Sequence, residues 1–106
     1  MRESELERIL VDEIRNAGGK AYKWISPGND GVPDRIVFFP DGEVYFLELK
    51  TEKGKPRPQQ LVQIKFLESF GQHAAVVYGI GGIINFFRET GRNEIADRLM
   101  KRYGGR

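Results

Sequence analysis

The chain has 106 residues, 40% of them hydrophobic and 30% charged, with a formal net charge of +2, no cysteine and one histidine. That composition excludes a disordered chain, a disulfide scaffold, a cysteine-based zinc site, a thiol nucleophile and any two-histidine metal motif. No apolar run approaches the ~18 residues of a membrane span and no signal-peptide pattern appears, so an intracellular, cytoplasmic protein without membrane association is expected.

Residues 3–17 are predicted to form an amphipathic helix, because Leu6, Ile9, Leu10, Ile14 and Ala17 recur at the spacing of one apolar stripe. Gly18 and Gly19 end it. A strand is expected over Lys20–Ile25, with Tyr22 and Trp24 on one face as core residues and Lys23 on the other. Ser26 to Gly31 is a loop by composition. Asp34–Phe39 and Glu43–Lys50 are predicted strands of a hairpin turned by Pro40-Asp41-Gly42.

Lys53–Pro58 reads as an irregular loop, and Pro58 opens a helix carrying Leu61, Ile64 and Leu67 until Gly71 stops it. His73 falls in the loop that follows and receives no role. Ala74–Tyr78 is a short apolar strand, followed by two helices over Ile83–Arg88 and Asn93–Tyr103. The order α-β-β-β-α-β-α predicts an α/β fold with a mixed sheet flanked by helices. One domain is expected over residues 1–106, with a core of about 3–80 and a C-terminal helical extension of about 81–106. Ile83, Ile84, Phe86, Phe87, Leu99, Met100 and Tyr103 would meet either a second copy of the chain or the domain's own sheet.

Positive charge is clustered. Lys50, Lys53, Lys55, Arg57 and Lys65 face one acid, Glu52, and Arg92, Arg98, Lys101, Arg102 and Arg106 face Glu94 and Asp97. Two such clusters on a nearly neutral chain fit a polyanion-binding face, the second equally a solvated tail.

Pro33-Asp34 enters the first hairpin strand and Glu48-Leu49-Lys50 leaves the second. Alternate strand residues share a face, so Glu48 and Lys50 point together while Leu47 and Leu49 point into packing. An antiparallel hairpin brings Asp34 beside Glu48. Two carboxylates and a lysine make an oxygen-rich site that suits Mg²⁺ or Mn²⁺. Such a site points to metal-assisted phosphodiester hydrolysis, with the lysine stabilising charge on the attacked phosphate. Gln60 shares a helix face with Ile64, Leu67 and Gly71, and therefore points at the sheet. Lys23, Ser26, Arg35, Lys53, Lys55 and Arg57 surround this site in sequence as candidate DNA phosphate contacts.

Gly31-Val32-Pro33-Asp34-Arg35, then Phe46-Leu47-Glu48-Leu49-Lys50, then a Pro/Lys loop and Gln60 opening a helix together resemble the VRR-NUC domains. These are a branch of the PD-(D/E)XK nuclease superfamily. Gly18-Gly19, Tyr22-Lys23 and Ser26-Pro27-Gly28 extend the resemblance over roughly residues 1–80. It implies a restriction-endonuclease-like αβββαβ core and a divalent-metal DNA endonuclease without an organic cofactor. It makes Asp34 and Glu48 metal ligands with the Leu49 carbonyl, and Lys50 the catalytic lysine. It adds an acid from the first helix, best matched by Glu7 with Glu3 as substitute, and places Gln60 near the metal. Stand-alone members of this length resemble homodimeric, often phage-encoded, Holliday-junction resolvases acting on four-way DNA. The alternatives are a nickase or restriction-like endonuclease on other DNA, a non-catalytic DNA-binding module, and an interaction protein binding an acidic partner.

Overall fold

A computed structural model describes residues 1–104, and Arg106 of the second basic cluster lies outside them. The elements are α1 (Glu3–Asn16), β1 (Lys20–Lys23), β2 (Arg35–Phe38), β3 (Val44–Lys50), α2 (Pro58–Ser69), β4 (His73–Tyr78), α3 (Gly79–Glu89) and α4 (Asn93–Tyr103). The observed order is the predicted α-β-β-β-α-β, followed by the two separate helices expected after it, α3 and α4. His73 departs from expectation: it is the first residue of β4, pairs with Tyr45 in the ladder, and is exposed.

Four strands form one sheet in the order β1-β2-β3-β4. The first two pairings are antiparallel and β3–β4 is parallel, with α2 as the crossover that a parallel return requires. Registers Lys23↔Arg35↔Leu47 and Tyr22↔Ile36↔Phe46 divide the side chains between two faces. Val37, Leu47, Leu49 and Val77 share one face and one buried cluster with Leu6, Leu10 and Ile14 of α1 and Ile83 and Phe87 of α3. Phe46, Glu48 and Lys50 alternate onto the other face, which carries α2.

The first face holds the core. Leu6, Leu10, Ile14, Ile83 and Phe87 are fully buried there, each worth roughly 1.5–3 kcal/mol relative to exposure. The apolar residues of the last two helices are consumed by this core: Ile83, Ile84, Phe86, Phe87 and Leu99 are buried against the chain's own elements. Folding back is the outcome for these five; Tyr103 packs partly buried on the same core, and Met100 stays 49% exposed. Two arginines of the second basic cluster are likewise used internally. Arg92 lies over the Phe39 ring and pairs with Asp41 and Glu43, and Arg98 pairs with Glu13.

The second face is covered less completely. Trp24 is half-buried and packs on Phe46 with ring centroids 5.5 Å apart, whereas Tyr22 is half-exposed, edge-on to Phe38. Tyr22 is therefore not a core residue. The strand that carries it is an edge strand, and α2 reaches β4 rather than β1.

Candidate active site

Asp34 lies one residue before β2, where that strand has left its ladder with β3, and Glu48 stands at the matching position of β3. Pro33, which has no amide to donate, is buried immediately before it. The freed Asp34 carboxylate turns to the neighbouring strand and accepts the Leu49 N–H through Oδ2 at 3.1 Å. In an extended strand a residue's N–H and C=O leave on the same side. The Leu49 carbonyl thus faces the edge that Asp34 occupies.

Glu48 is 2% exposed. Its Oε2 accepts from Gln60 Nε2 at 2.8 Å and lies 3.4 Å from Lys50 Nζ, while Oε1 is buried without a hydrogen-bond partner. Burial pushes this carboxyl up to about 7, the negative charge of Asp34 adds to the rise, Lys50 opposes it, and Glu3 adds a smaller increment. A buried carboxylate held ionised needs more positive charge than one lysine supplies. The unpartnered Oε1, the Asp34 carboxylate and the Leu49 carbonyl are all oxygen donors at one strand edge. A hard divalent cation fits that donor set, whereas zinc would prefer nitrogen or sulfur.

Gln60 is buried in the first turn of α2, facing the sheet as its helical spacing required. Besides donating to Glu48, it accepts the Arg57 N–H through Oε1 at 2.7 Å. One side chain thereby satisfies an orphan amide of the helix start and aims the carboxylate. A second link holds loop 24–34 against α2. Arg57 meets Asp30 through two hydrogen bonds of 3.2 and 3.3 Å, Gln63 donates to the Asp30 carbonyl, and the Trp24 N–H donates to the Asp34 carbonyl at 2.9 Å. Gly31, at φ 87°, passes so close to α2 that a Cβ would stand 2.7 Å from the Gln59 carbonyl. These contacts enclose an open cleft of about 590 Å³ lined by Trp24, Ile25, Ser26, Asp34, Arg57 and Gln60 among others.

Two expected members are elsewhere. Glu7 forms an ion pair with Arg35, which also donates to the Ala21 carbonyl at 3.2 Å. Arg35 follows Asp34 directly, so strand alternation turns it to the α1 face and away from the cleft. Glu7 sits on α1, which packs on that same face. The structure therefore does not bring Glu7 to Asp34 and Glu48, and Arg35 is not a cleft residue. Among the described residues no three Asp, Glu or His side chains converge as a metal-holding group. Glu3 is the α1 acid whose charge bears on Glu48.

Of the remaining basic candidates, Lys53 and Lys55 are exposed in the loop between β3 and α2, and Arg57 is exposed but paired with Asp30. Lys23 is exposed opposite Arg35, on the α1 face. Ser26 lines the cleft, and its Oγ accepts from Asn29 Nδ2 at 3.0 Å. The Asp30–Arg57 link escaped the sequence reading. Its one signal was the Asn29-Asp30-Gly31 turn, which carries no mark of its partner 27 residues away.

A mixed four-stranded sheet with a carboxylate pair and a lysine where two central strands part defines the class of restriction-endonuclease-like α/β nuclease folds. Comparisons with known proteins agree. A protein named "Putative nuclease p44", from Acyrthosiphon pisum secondary endosymbiont phage 1, is 44% identical over 77 residues, covering 73% of this chain and 83% of that one. A solved structure described as "VRR_NUC domain" superposes with a TM-score of 0.68 at 25% identity, over 95% of this chain and 96% of the other. A second, "VRR_NUC domain protein", gives 0.66 at 16% identity over 84% and 87%, a likeness of fold alone. No family model matches the chain. The chain belongs to the VRR-NUC nuclease family.

Proposed function

We propose that this nuclease hydrolyses DNA phosphodiesters at the Asp34–Glu48–Lys50 cluster with Mg²⁺ or Mn²⁺, on branched DNA such as a four-way junction, as a homodimer. The observation that carries the catalytic assignment is the buried Glu48 with one unpartnered oxygen beside Asp34 and within 3.4 Å of Lys50. Asp34, Glu48 and the Leu49 carbonyl would hold the ion. When bound, it supplies Lewis acidity at the phosphate and lowers the pKa of coordinated water.

The chain's own groups divide the remaining work. Gln60 fixes the Glu48 carboxylate, and the Leu49 N–H fixes that of Asp34, so neither has to be ordered when the substrate arrives. Lys50 is 18% exposed at the side chain, close enough to solvent to meet a phosphate oxygen and to stabilise the charge that develops on it. Lys53 and Lys55, exposed on the adjoining loop, supply electrostatic attraction for the duplex backbone. Glu7 is read as the structural partner of Arg35.

Support for the homodimer comes from the incompletely covered sheet face. Tyr22 (50% exposed) and Phe38 (43%) lie on it, Phe66 (54%) projects from α2, and Phe70 (73%) is the residue that caps α2. At roughly 200 Å² for a whole aromatic residue, these four together leave on the order of 450 Å² of aromatic surface in water, in two places: the β1–β2 edge and α2 with its C-terminal cap. A two-fold dimer presents two sites to two symmetric strands, the geometry of paired junction incisions.

The test is cleavage of labelled four-way junction, flap and linear duplex in parallel, with Mg²⁺, Mn²⁺ or EDTA, for wild type, Asp34→Asn and Lys50→Ala. Paired symmetric cuts in the junction, abolished by EDTA and by either substitution, are expected. Undiminished cutting by both variants would remove the site assignment. Salt-sensitive binding without cutting would favour a DNA-binding module.

A further inference from the structure

We propose that Ile25 is an apolar wedge that enters the opened base step of branched DNA beside the cut phosphate; this rests on the DNA-nuclease reading and specifies how the branch is recognised. At 76% exposure Ile25 is the most exposed large apolar side chain among the described residues. The fold buries Ile9, Ile14, Ile64, Ile83, Ile84 and Ile95 and partly covers Ile36 and Ile80, so Ile25 is the one isoleucine left exposed.

Its position is built rather than slack. Trp24, the preceding residue, is anchored twice: its ring packs on Phe46, and its N–H donates to the carbonyl of Asp34 itself. On the other side, the Asn29 N–H donates to the Ser26 carbonyl at 3.0 Å and Asn29 Nδ2 to Ser26 Oγ at 3.0 Å, closing the turn. Asp30, bound to Arg57 and Gln63, clamps the loop's far end to α2. The isoleucine therefore stands at a set point in the lining of the cleft, which Asp34 and Gln60 also line.

The occupant follows from the chemistry around it. Lys53 and Lys55, exposed on the loop that leads into α2, are groups suited to a phosphate backbone, while Arg57 in the cleft wall is held by Asp30. With phosphates on the charged loop and one at the acidic pair, the exposed face of a base pair is the apolar surface that such a ligand brings within reach. Isoleucine is among the side chains that proteins insert between base steps to unstack them. Unstacking is cheapest where stacking is already interrupted, as at a branch point. A second copy of the chain could also cover Ile25, and the experiment separates the two.

The test uses a four-way junction with 2-aminopurine at the branch-point pair, bound in EDTA, and single-turnover cleavage of the same junction in Mg²⁺. Wild type and Ile25→Leu should raise the 2-aminopurine fluorescence, and Ile25→Ser should not. Ile25→Ser should cut the paired junction about tenfold more slowly, and a mismatch at the branch pair should restore its rate, because the unstacking cost is then already met. An unchanged rate, a loss that the mismatch does not rescue, or a fluorescence rise equal to wild type would overturn the wedge. A shift of Ile25→Ser from dimer to monomer in sedimentation would overturn it in favour of a subunit contact. Wild type that opens the branch pair in EDTA but cuts nothing in Mg²⁺ would retain the wedge and overturn the catalytic reading.

Discussion

Replacing Glu48 by glutamine should stabilise the metal-free protein at pH 8 while abolishing cleavage. In the folded chain Glu48 titrates at about 7, against 4.5 for an ordinary glutamate, chiefly because it is buried. Between those two values the folded state holds a proton that the unfolded state has released. Stability is therefore greatest below pH 4.5 as far as this group is concerned, and it falls as pH rises towards 7. The difference of about 2.5 units, at 1.36 kcal/mol each, amounts to about 3 kcal/mol once both states are ionised. Glutamine does not titrate, so it escapes that penalty, and it still accepts from Gln60 through its carbonyl. The gain is therefore about 3 kcal/mol at pH 8 and near zero at pH 4.5, so Tm should rise by about 12 °C at the higher pH alone. Thermal unfolding in EDTA from pH 4.5 to 8.5, followed by circular dichroism, measures both. The same variants in Mn²⁺ provide the second half: wild type should gain stability from a bound ion and Glu48→Gln should not. A difference between the two proteins that is the same at every pH would refute the claim that an ionised, buried Glu48 is what the fold tolerates for its chemistry.

Three further outcomes follow from the same contacts. Glu7→Gln should lower stability by about 1–3 kcal/mol, because it leaves the largely buried Arg35 without its carboxylate, yet keep the Mn²⁺-induced rise in Tm; loss of that rise would make Glu7 a ligand. Gly31→Ala should cost roughly 1–3 kcal/mol, since its backbone sits at φ 87° and a Cβ would press on the Gln59 carbonyl, and should slow cleavage by displacing the start of α2 from Glu48. A wild-type Tm in that variant would show the loop to be free of α2. Replacing Lys53 and Lys55 together by alanine should reduce the slope of log binding constant against log salt by about 2 for duplex DNA, with the fold intact; an unchanged slope would take that loop off the DNA.

Local rules were enough for much of this molecule. Alternation in β3 placed Glu48 and Lys50 together, hairpin pairing put Asp34 beside them, and helical spacing turned Gln60 towards the sheet. Each depends on residues close in sequence or joined by one turn, where a period of 2.0 or 3.6 leaves little freedom. The element order followed from the same periodicities and from Pro and Gly at the ends. What the sequence left open was which face meets which helix. Asp34 and Arg35 are neighbours, and alternation states that they part, but only the packing of α1 decided that Arg35 would spend its charge on Glu7 and the Ala21 carbonyl rather than on a phosphate. Tyr22 read as core because its strand looked like any other; being at the sheet edge, beyond the reach of α2, exposed it. The apolar residues of α3 and α4 carried no sign of their partner, because burial against one's own core and against a second subunit demand the same side chains. The raised pKa of Glu48 and the Asp30–Arg57 clasp likewise exist only once distant segments meet, since desolvation and ion pairing are properties of assembled surroundings and not of a residue type.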